Sequence, residues 1–147
     1  MTEGSEGSFE IRETTDPDLV LPIRWRNLYP GRPIDCESSR NADADPETVH
    51  FAAFIDDIPF GCVSLLKEPA HECESRIRWL AVDERQRRKG LGRELVKSCL
   101  RKTSGHGIWC NVRLPATKLY EHLGFVKISE LFELPEIGPH CLMRHIP

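Results

Sequence analysis

Between Leu91 and Leu100 apolar residues fall on one stripe, Leu91, Leu95, Val96, Cys99 and Leu100, with charge elsewhere, and this spacing predicts an amphipathic helix that Gly105 and Gly107 end. Upstream, Glu74 to Val82 alternates as a strand does. Ile77, Trp79 and Ala81 share one face, and Arg76, Arg78, Leu80 and Val82 share the other, so the strand is expected to be buried on both sides towards its end. Val49–Asp56 and Pro59–Leu66 are apolar, partly alternating runs around Asp56-Asp57 and read as a β-hairpin whose turn type stays open.

The ends of the chain follow the same logic. Phe9–Thr14 reads as a first strand, and Asp16-Pro17 caps a short helix through Leu19, Val20, Ile23 and Leu28 that Pro30-Gly31 stops. Arg32–Glu47 has no periodicity and reads as a long loop. Ile108–Val112 is a strand, and Pro115 opens a second helix with Ala116, Leu119, Tyr120 and Leu123 on one face, closed by Gly124. Phe125–Leu134 and His140–Ile146 finish as strands. The order strands, helix, strand, helix, strands predicts a mixed α/β sheet whose central strand-helix-strand is a right-handed parallel crossover. A chain of 147 residues fits one domain, expected over residues 9–147 behind a disordered Gly-, Ser- and Glu-rich tail, residues 1–8.

Charge changes the picture locally. The formal net charge is −3, which argues against general nucleic-acid binding. Yet Arg85, Arg87, Arg88, Lys89, Arg93, Lys97, Arg101 and Lys102 stand against Glu94 alone between residues 85 and 102. Those cations gather at a glycine turn where a helix begins. Backbone N–H groups there have no intrahelical partner and the macrodipole adds positive potential, so the turn Arg87 to Gly92 is an expected phosphate site, with Gly90 and Gly92 letting the backbone come close. A P-loop needs Gly-Lys, which the chain lacks, and a dinucleotide fingerprint needs a small residue where Leu95 stands. A solvated helix face or a nucleic-acid patch is the alternative, but no aromatic residues interleave for base stacking.

The six cysteines, Cys36, Cys62, Cys73, Cys99, Cys110 and Cys141, stand singly and read as reduced and mostly buried, without a disulfide framework. Cys110 reads as packing rather than a nucleophile. No four-ligand spacing is present around His71-x-Cys73 or His140-Cys141, so no metal site is expected. No apolar run reaches membrane-spanning length, and a cytoplasmic, membrane-free protein is expected.

The pattern Arg87-x-x-Gly90-x-Gly92 after Leu80-Ala81-Val82 resembles the acyl-CoA-binding motif of the GNAT superfamily of N-acyltransferases. Trp109-Cys110-Asn111-Val112-Arg113, Ala116, and Leu119-Tyr120-Glu121-His122-Leu123-Gly124-Phe125 resemble its later strand-helix segment. The resemblance covers Val49–Phe125 best. Arg24-Trp25-Arg26 with Pro30-Gly31-Arg32-Pro33 is also similar to a bacterial subgroup.

The resemblance implies a mostly antiparallel central sheet with a splayed parallel strand pair and flanking helices, and an acetyl-CoA-dependent N-acetyltransferase that needs no metal. It implies that Arg87, Arg88, Lys89, Gly90, Leu91, Gly92 and Arg93 hold the pyrophosphate. The backbones of Leu80, Ala81 and Val82 would pair with the pantetheine arm, which Asn111 orients. Direct attack by a primary amine would place the Val82 N–H at the oxyanion and Tyr120 as general acid to the leaving thiolate. Glu72, Glu74 and His50 are candidates for the base, Glu74 being the choice, with water as a further option. Tyr120 alone also reads as a core aromatic, and Arg78 either binds a substrate carboxylate or pairs with a neighbouring acid. The acceptor is a small-molecule or peptide amine, and a homodimer is left open. The acidic stretch Asp35–Glu47 would attract a cationic acceptor. A non-catalytic acyl-CoA sensor is the alternative function.

Overall fold

Asp56 and Asp57 both have positive φ, 51° and 66°, so the hairpin closes on a two-residue turn of the type that matches strand twist. In the computed structural model, which describes residues 8–28, 37–135 and 138–147, this turn joins β2 (Val49–Ile55) to β3 (Ile58–Ala70). β1 (Glu10–Thr14) precedes them, followed by a 3-10 turn at Pro17–Leu19 and α1 (Leu21–Leu28). Asp16 caps that turn through the Asp18 N–H. β3 runs past the expected end at Leu66 to a second left-handed pair, His71 and Glu72, which turns the chain into β4 (Cys73–Val82). Pro69, which has no N–H to give the ladder, falls where the β3–β4 register shifts.

α3 (Leu91–Lys102) leads to β5 (Ile108–Arg113), then a 3-10 turn at Leu114–Ala116 and α4 (Thr117–His122). The expected strand Phe125–Leu134 is two short ones, β6 (Val126–Lys127) and β7 (Phe132–Leu134), both paired with β8 (Gly138–His145). The sheet order is β1-β2-β3-β4-β5-β8-β6, with all pairings antiparallel except β4 with β5. This is a mixed, mostly antiparallel α/β sheet with one parallel pair and flanking helices.

Two cores cover the two faces. Phe51, Ala53, Val63 and Leu65 pack under Leu91, Leu95, Val96 and Cys99 of α3, whereas the alternate residues Ala52, Phe54 and Cys62 pack with Val20 and Ile23 at α1. Burying each of those leucines stabilises the fold by about 1.5–3 kcal/mol.

One expected loop is a helix. α2 (Glu37–Ala44) lies inside Arg32–Glu47, and it lacks an apolar stripe because it is held by charge: Asp43 takes hydrogen bonds from the fully buried Arg24 at 2.9 and 3.3 Å. The expected helix stop at Pro30-Gly31, the Pro30–Pro33 motif, Cys36 and the tail apart from Ser8 lie outside the described residues.

β4 carries a bulge. Ser64 pairs with Arg78 but Cys62 pairs with Ala81, so two steps on β3 face three on β4, and Trp79 takes up the extra residue at φ 59°. The bulge corrects the expected facing of the strand. Ile77 shares the α3-side core with Leu80 and Val82, while Ala81 enters the α1-side core.

β4 and β5 pair only at Ser75↔Ile108 and Arg76↔Trp109. Beyond that point β4 stays with β3 as far as Val82 and β5 stays with β8 as far as Arg113, so the sheet forks. Gly107 closes the base of the fork: its carbonyl accepts from the Glu74 and Ser75 N–H groups at 3.2 and 3.3 Å. A Cβ at Gly107 would lie 2.9 Å from Cys73 Sγ and 3.3 Å from Cys73 Cα.

Candidate functional site

The fork holds a cleft of about 180 Å³ between β4 and β5, lined by Arg76, Arg78, Trp79, Leu80, Asn111, Arg113, Ala116, Tyr120 and His140 among others. One wall is unpaired backbone. The Asp83 N–H bonds to Phe60 C=O at 2.8 Å, and in an antiparallel ladder adjacent residues direct their polar groups to opposite edges, so the N–H and C=O of Val82 point away from β3 into the fork. Arg87 Nε donates to the Val82 carbonyl at 2.9 Å, which leaves the Val82 N–H as the open group. The Arg87 side chain is thereby committed to the strand end.

α3 begins at the mouth of the fork. Gly90 is its N-cap at φ 87° with no side-chain cap, and Arg88, two residues earlier, is also left-handed at φ 69°. Glu94 N–H donates to Gly90 C=O, so the N–H groups of Leu91, Gly92 and Arg93 precede the first intrahelical bond. Successive N–H groups around left-handed residues converge into an anion-binding concavity. Among the described residues Arg88 and Arg93 have no hydrogen bond or ion pair, while Lys89 Nζ bonds to Gln86 Oε1 at 2.7 Å. A methyl at Gly92 would meet Leu119 and Val82 side-chain carbons at 3.7 and 3.9 Å, ordinary contacts.

Tyr120 reaches the cleft from α4, its ring edge-on to Phe125 at 5.1 Å. Burial holds its phenol proton well above the ordinary tyrosine range, so the group keeps a proton to give. Asn111, on β5, presents a buried Oδ1 with no hydrogen-bond partner among the described residues. That oxygen suits an N–H donor entering the cleft.

The cysteines are inert by the same physics. Cys62, Cys73, Cys99, Cys110 and Cys141 are free and buried. Burial pushes the Cys62 thiol up to about 12 and the Cys99 and Cys110 thiols upward too, away from thiolate chemistry.

The three sequence-derived base candidates lie elsewhere. Glu74 stands at the closed end of β4, paired with His106 at 2.9 Å, about eight strand residues or ~26 Å from Val82. Glu72 sits in the exposed β3–β4 turn and binds Arg144 at 2.8 Å. His50 is fully buried against Ser64 Oγ at 2.7 Å and near Asp43. None of the three lines the cleft.

The cleft does contain a histidine that sequence reading treated only as a metal fragment. His140, on β8, sits opposite Arg113 in the β5–β8 pairing, with Nδ1 2.9 Å from Gly138 C=O. A carbonyl only accepts, so Nδ1 donates, and in the neutral ring Nε2 offers the lone pair. Only the pairing of distant strands brings it here, and no local signal marks it. Among the described residues no group of three or more His, Cys, Asp or Glu is placed to hold a metal, and no helix is long and apolar enough to cross a membrane.

Residues 18–125 match the Acetyltransferase (GNAT) family. YitI, an uncharacterized N-acetyltransferase of Bacillus subtilis (strain 168), is 29% identical over 138 residues, covering 89% of this chain and 92% of that protein. The crystal structure of an acyl-CoA N-acyltransferase from Pseudomonas aeruginosa is similar with a TM-score of 0.78 at 19% identity, covering 94% of this chain and 99% of that one. ElaA of Escherichia coli gives 0.76 at 16% identity, with the same coverage. At such identities these two structures share the fold.

Proposed function

We propose that this chain, which belongs to the GNAT family of acetyltransferases, moves an acetyl group from acetyl-CoA to a primary amine by direct attack. It is an acyltransferase enzyme; the acetyl donor, the amine and the route are our reading. The observation that carries it is the fork, where an unpaired strand edge ending at Val82 meets the uncapped N-terminus of α3. An extended amide-bearing arm and a pyrophosphate together match that pair of features.

In this reading the N–H groups of Leu91, Gly92 and Arg93 receive the pyrophosphate, and Arg88, Lys89 and Arg93 add charge. Gly90 supplies the left-handed turn, and Gly92 an open approach that packing against Leu119 and Val82 does not itself require. The strand edge Leu80–Val82 pairs with the pantetheine amides and Asn111 Oδ1 takes an N–H from the arm. The acceptor nitrogen attacks the acetyl carbonyl carbon while the Val82 N–H stabilises the developing oxyanion. The carbon–sulfur bond breaks, Tyr120 protonates the thiolate, and His140 Nε2 takes the proton that the amine loses. The products are an acetamide and free coenzyme A.

His140 replaces Glu74 as the base because it lines the cleft and Glu74 does not. The five free, buried cysteines support a reducing cytoplasmic setting. The test is calorimetric titration with acetyl-CoA followed by an amine panel read out as free thiol. Binding with thiol release supports transfer; binding without release from any amine turns the reading to a sensor, and no heat at all ends it.

A further inference from the structure

The acceptor side of the cleft is cationic. Arg76, Arg78 and Arg113 line it, beside His140, and no aspartate or glutamate does so among the described residues. The arginines differ in their engagement. Arg76 bonds to Glu68 at 3.1 Å and lies 4.5 Å over the Trp109 ring, and Arg78 lies 4.2 Å over the Trp79 ring. Arg113 has no hydrogen bond, ion pair or ring contact among the described residues, although it is half-buried.

Withdrawing a guanidinium from water without a counter-charge costs free energy, and more so beside other cations. Such a group is offset when an anion binds. Its place is specific. Ile108, Cys110 and Val112 enter the α3-side core, so Asn111 and Arg113 project to the opposite face, where Arg113 is the cross-strand neighbour of His140. Opposite residues in such a pair stand about 5 Å apart at Cβ.

We propose that the acceptor is a small amine bearing a carboxylate close to its nitrogen, as an amino acid does, and that Arg113 binds this carboxylate. The inference rests on the acetyl-transfer reading and adds which amine is chosen. A planar guanidinium fork fits a carboxylate with two parallel N–H···O bonds, which fixes the amine beside the imidazole that takes its proton. The acidic stretch expected to draw a cationic acceptor is otherwise occupied at Asp43, which is bound to the buried Arg24.

The experiment compares matched acceptors with and without the carboxylate, phenylalanine against phenethylamine and lysine against 1,5-diaminopentane, each with acetyl-CoA and thiol readout. The carboxylated partner is expected to react with kcat/KM at least about tenfold higher, as a charge-assisted pair implies. Arg113→Ala should erase that preference by raising KM for the acids alone, and Arg113→Lys should restore part of it. Acetyl-CoA affinity should stay unchanged in both variants. Equal use of the two partners, or an Arg113→Ala loss that strikes both alike, overturns the inference while transfer stands. If acetyl-CoA binds and no member reacts, the same pairs are titrated against the coenzyme A complex, where absence of a carboxylate preference likewise overturns it. Failure to bind acetyl-CoA defeats the transfer reading itself.

Discussion

The Arg24 guanidinium carbon lies 4.1 Å from the centre of the Trp79 ring, so α1 presses a buried cation onto the β4 residue that carries the bulge. A large side chain at positive φ is strained by about 1–3 kcal/mol and persists only where its surroundings hold it. Here the holding group is itself held, by Asp43 at 2.9 Å and Ser64 at 3.1 Å. The buried ion pair thus braces the bulge at Trp79, on a residue that also lines the cleft.

Arg24→Ala is expected to leave Asp43 without its charge partner and cost about 3–5 kcal/mol, the scale for breaking a buried pair from one side. Urea denaturation measures it. A variant that loses less than about 1 kcal/mol, the scale of an exposed pair, would show that this pair contributes little.

His50 supplies a pH dependence. Burial, only partly relieved by Asp43, pulls its imidazole from 6.5 down to about 4. The unfolded chain therefore binds this proton first as pH falls. Stability from the neutral, buried ring is whole above about pH 6.5 and drains away towards pH 4, a loss on the order of 3 kcal/mol. Denaturation curves between pH 7 and 4 should show this slope, and His50→Gln should flatten it. An unchanged slope in that variant would assign the effect to other groups.

Gly90 and Gly105 form a controlled pair. Both have positive φ, 87° and 92°, and an added Cβ meets nothing within 4 Å at either. Alanine at each should cost about 1–2 kcal/mol of stability from backbone strain alone. Acetyl-CoA affinity should fall only for Gly90→Ala, because Gly105 lies in the α3–β5 loop, at the other end of α3 from the mouth of the fork. Calorimetry that finds equal affinity for the two variants contradicts the pyrophosphate assignment.

Tyr120→Phe keeps the edge contact with Phe125 and removes only the hydroxyl. Turnover should fall by about 10²–10⁴-fold with acetyl-CoA affinity intact, since a proton donor acts in the transition state. His140→Asn should also slow turnover, but raising the pH should recover part of it as the amine loses its proton to solvent. Full activity in Tyr120→Phe would return that residue to a packing role.

Much of this was legible because it is local. The strand running into a glycine turn and an apolar-striped helix marks β4 to α3 within some thirty residues, and Asp56-Asp57 marks a hairpin. What escaped depends on partners distant in the chain. α2 reads as loop because Glu-Ser-Ser-Arg-Asn-Ala-Asp-Ala has no apolar face, and its anchor is Arg24 on another helix. The bulge at Trp79 is visible only against the register of β3, which is why strict alternation assigned Ala81 to the wrong core. His140 enters the cleft because β8 inserts beside β5, whereas Glu74 shares a strand with Val82 and is still far from it.

Gly107 stands where β4 and β5 still touch, at the base from which the two strands diverge. With Cys73 Sγ only 2.9 Å from where a Cβ would be, even a methyl there acts as a wedge at a fulcrum. The arm from Ser75 to Leu80 is about 16 Å long at strand spacing, so a displacement of tenths of an ångström at the pivot becomes a larger one at the jaws. A side chain at residue 107 is therefore expected to reset the spacing of the two strands that flank the cleft.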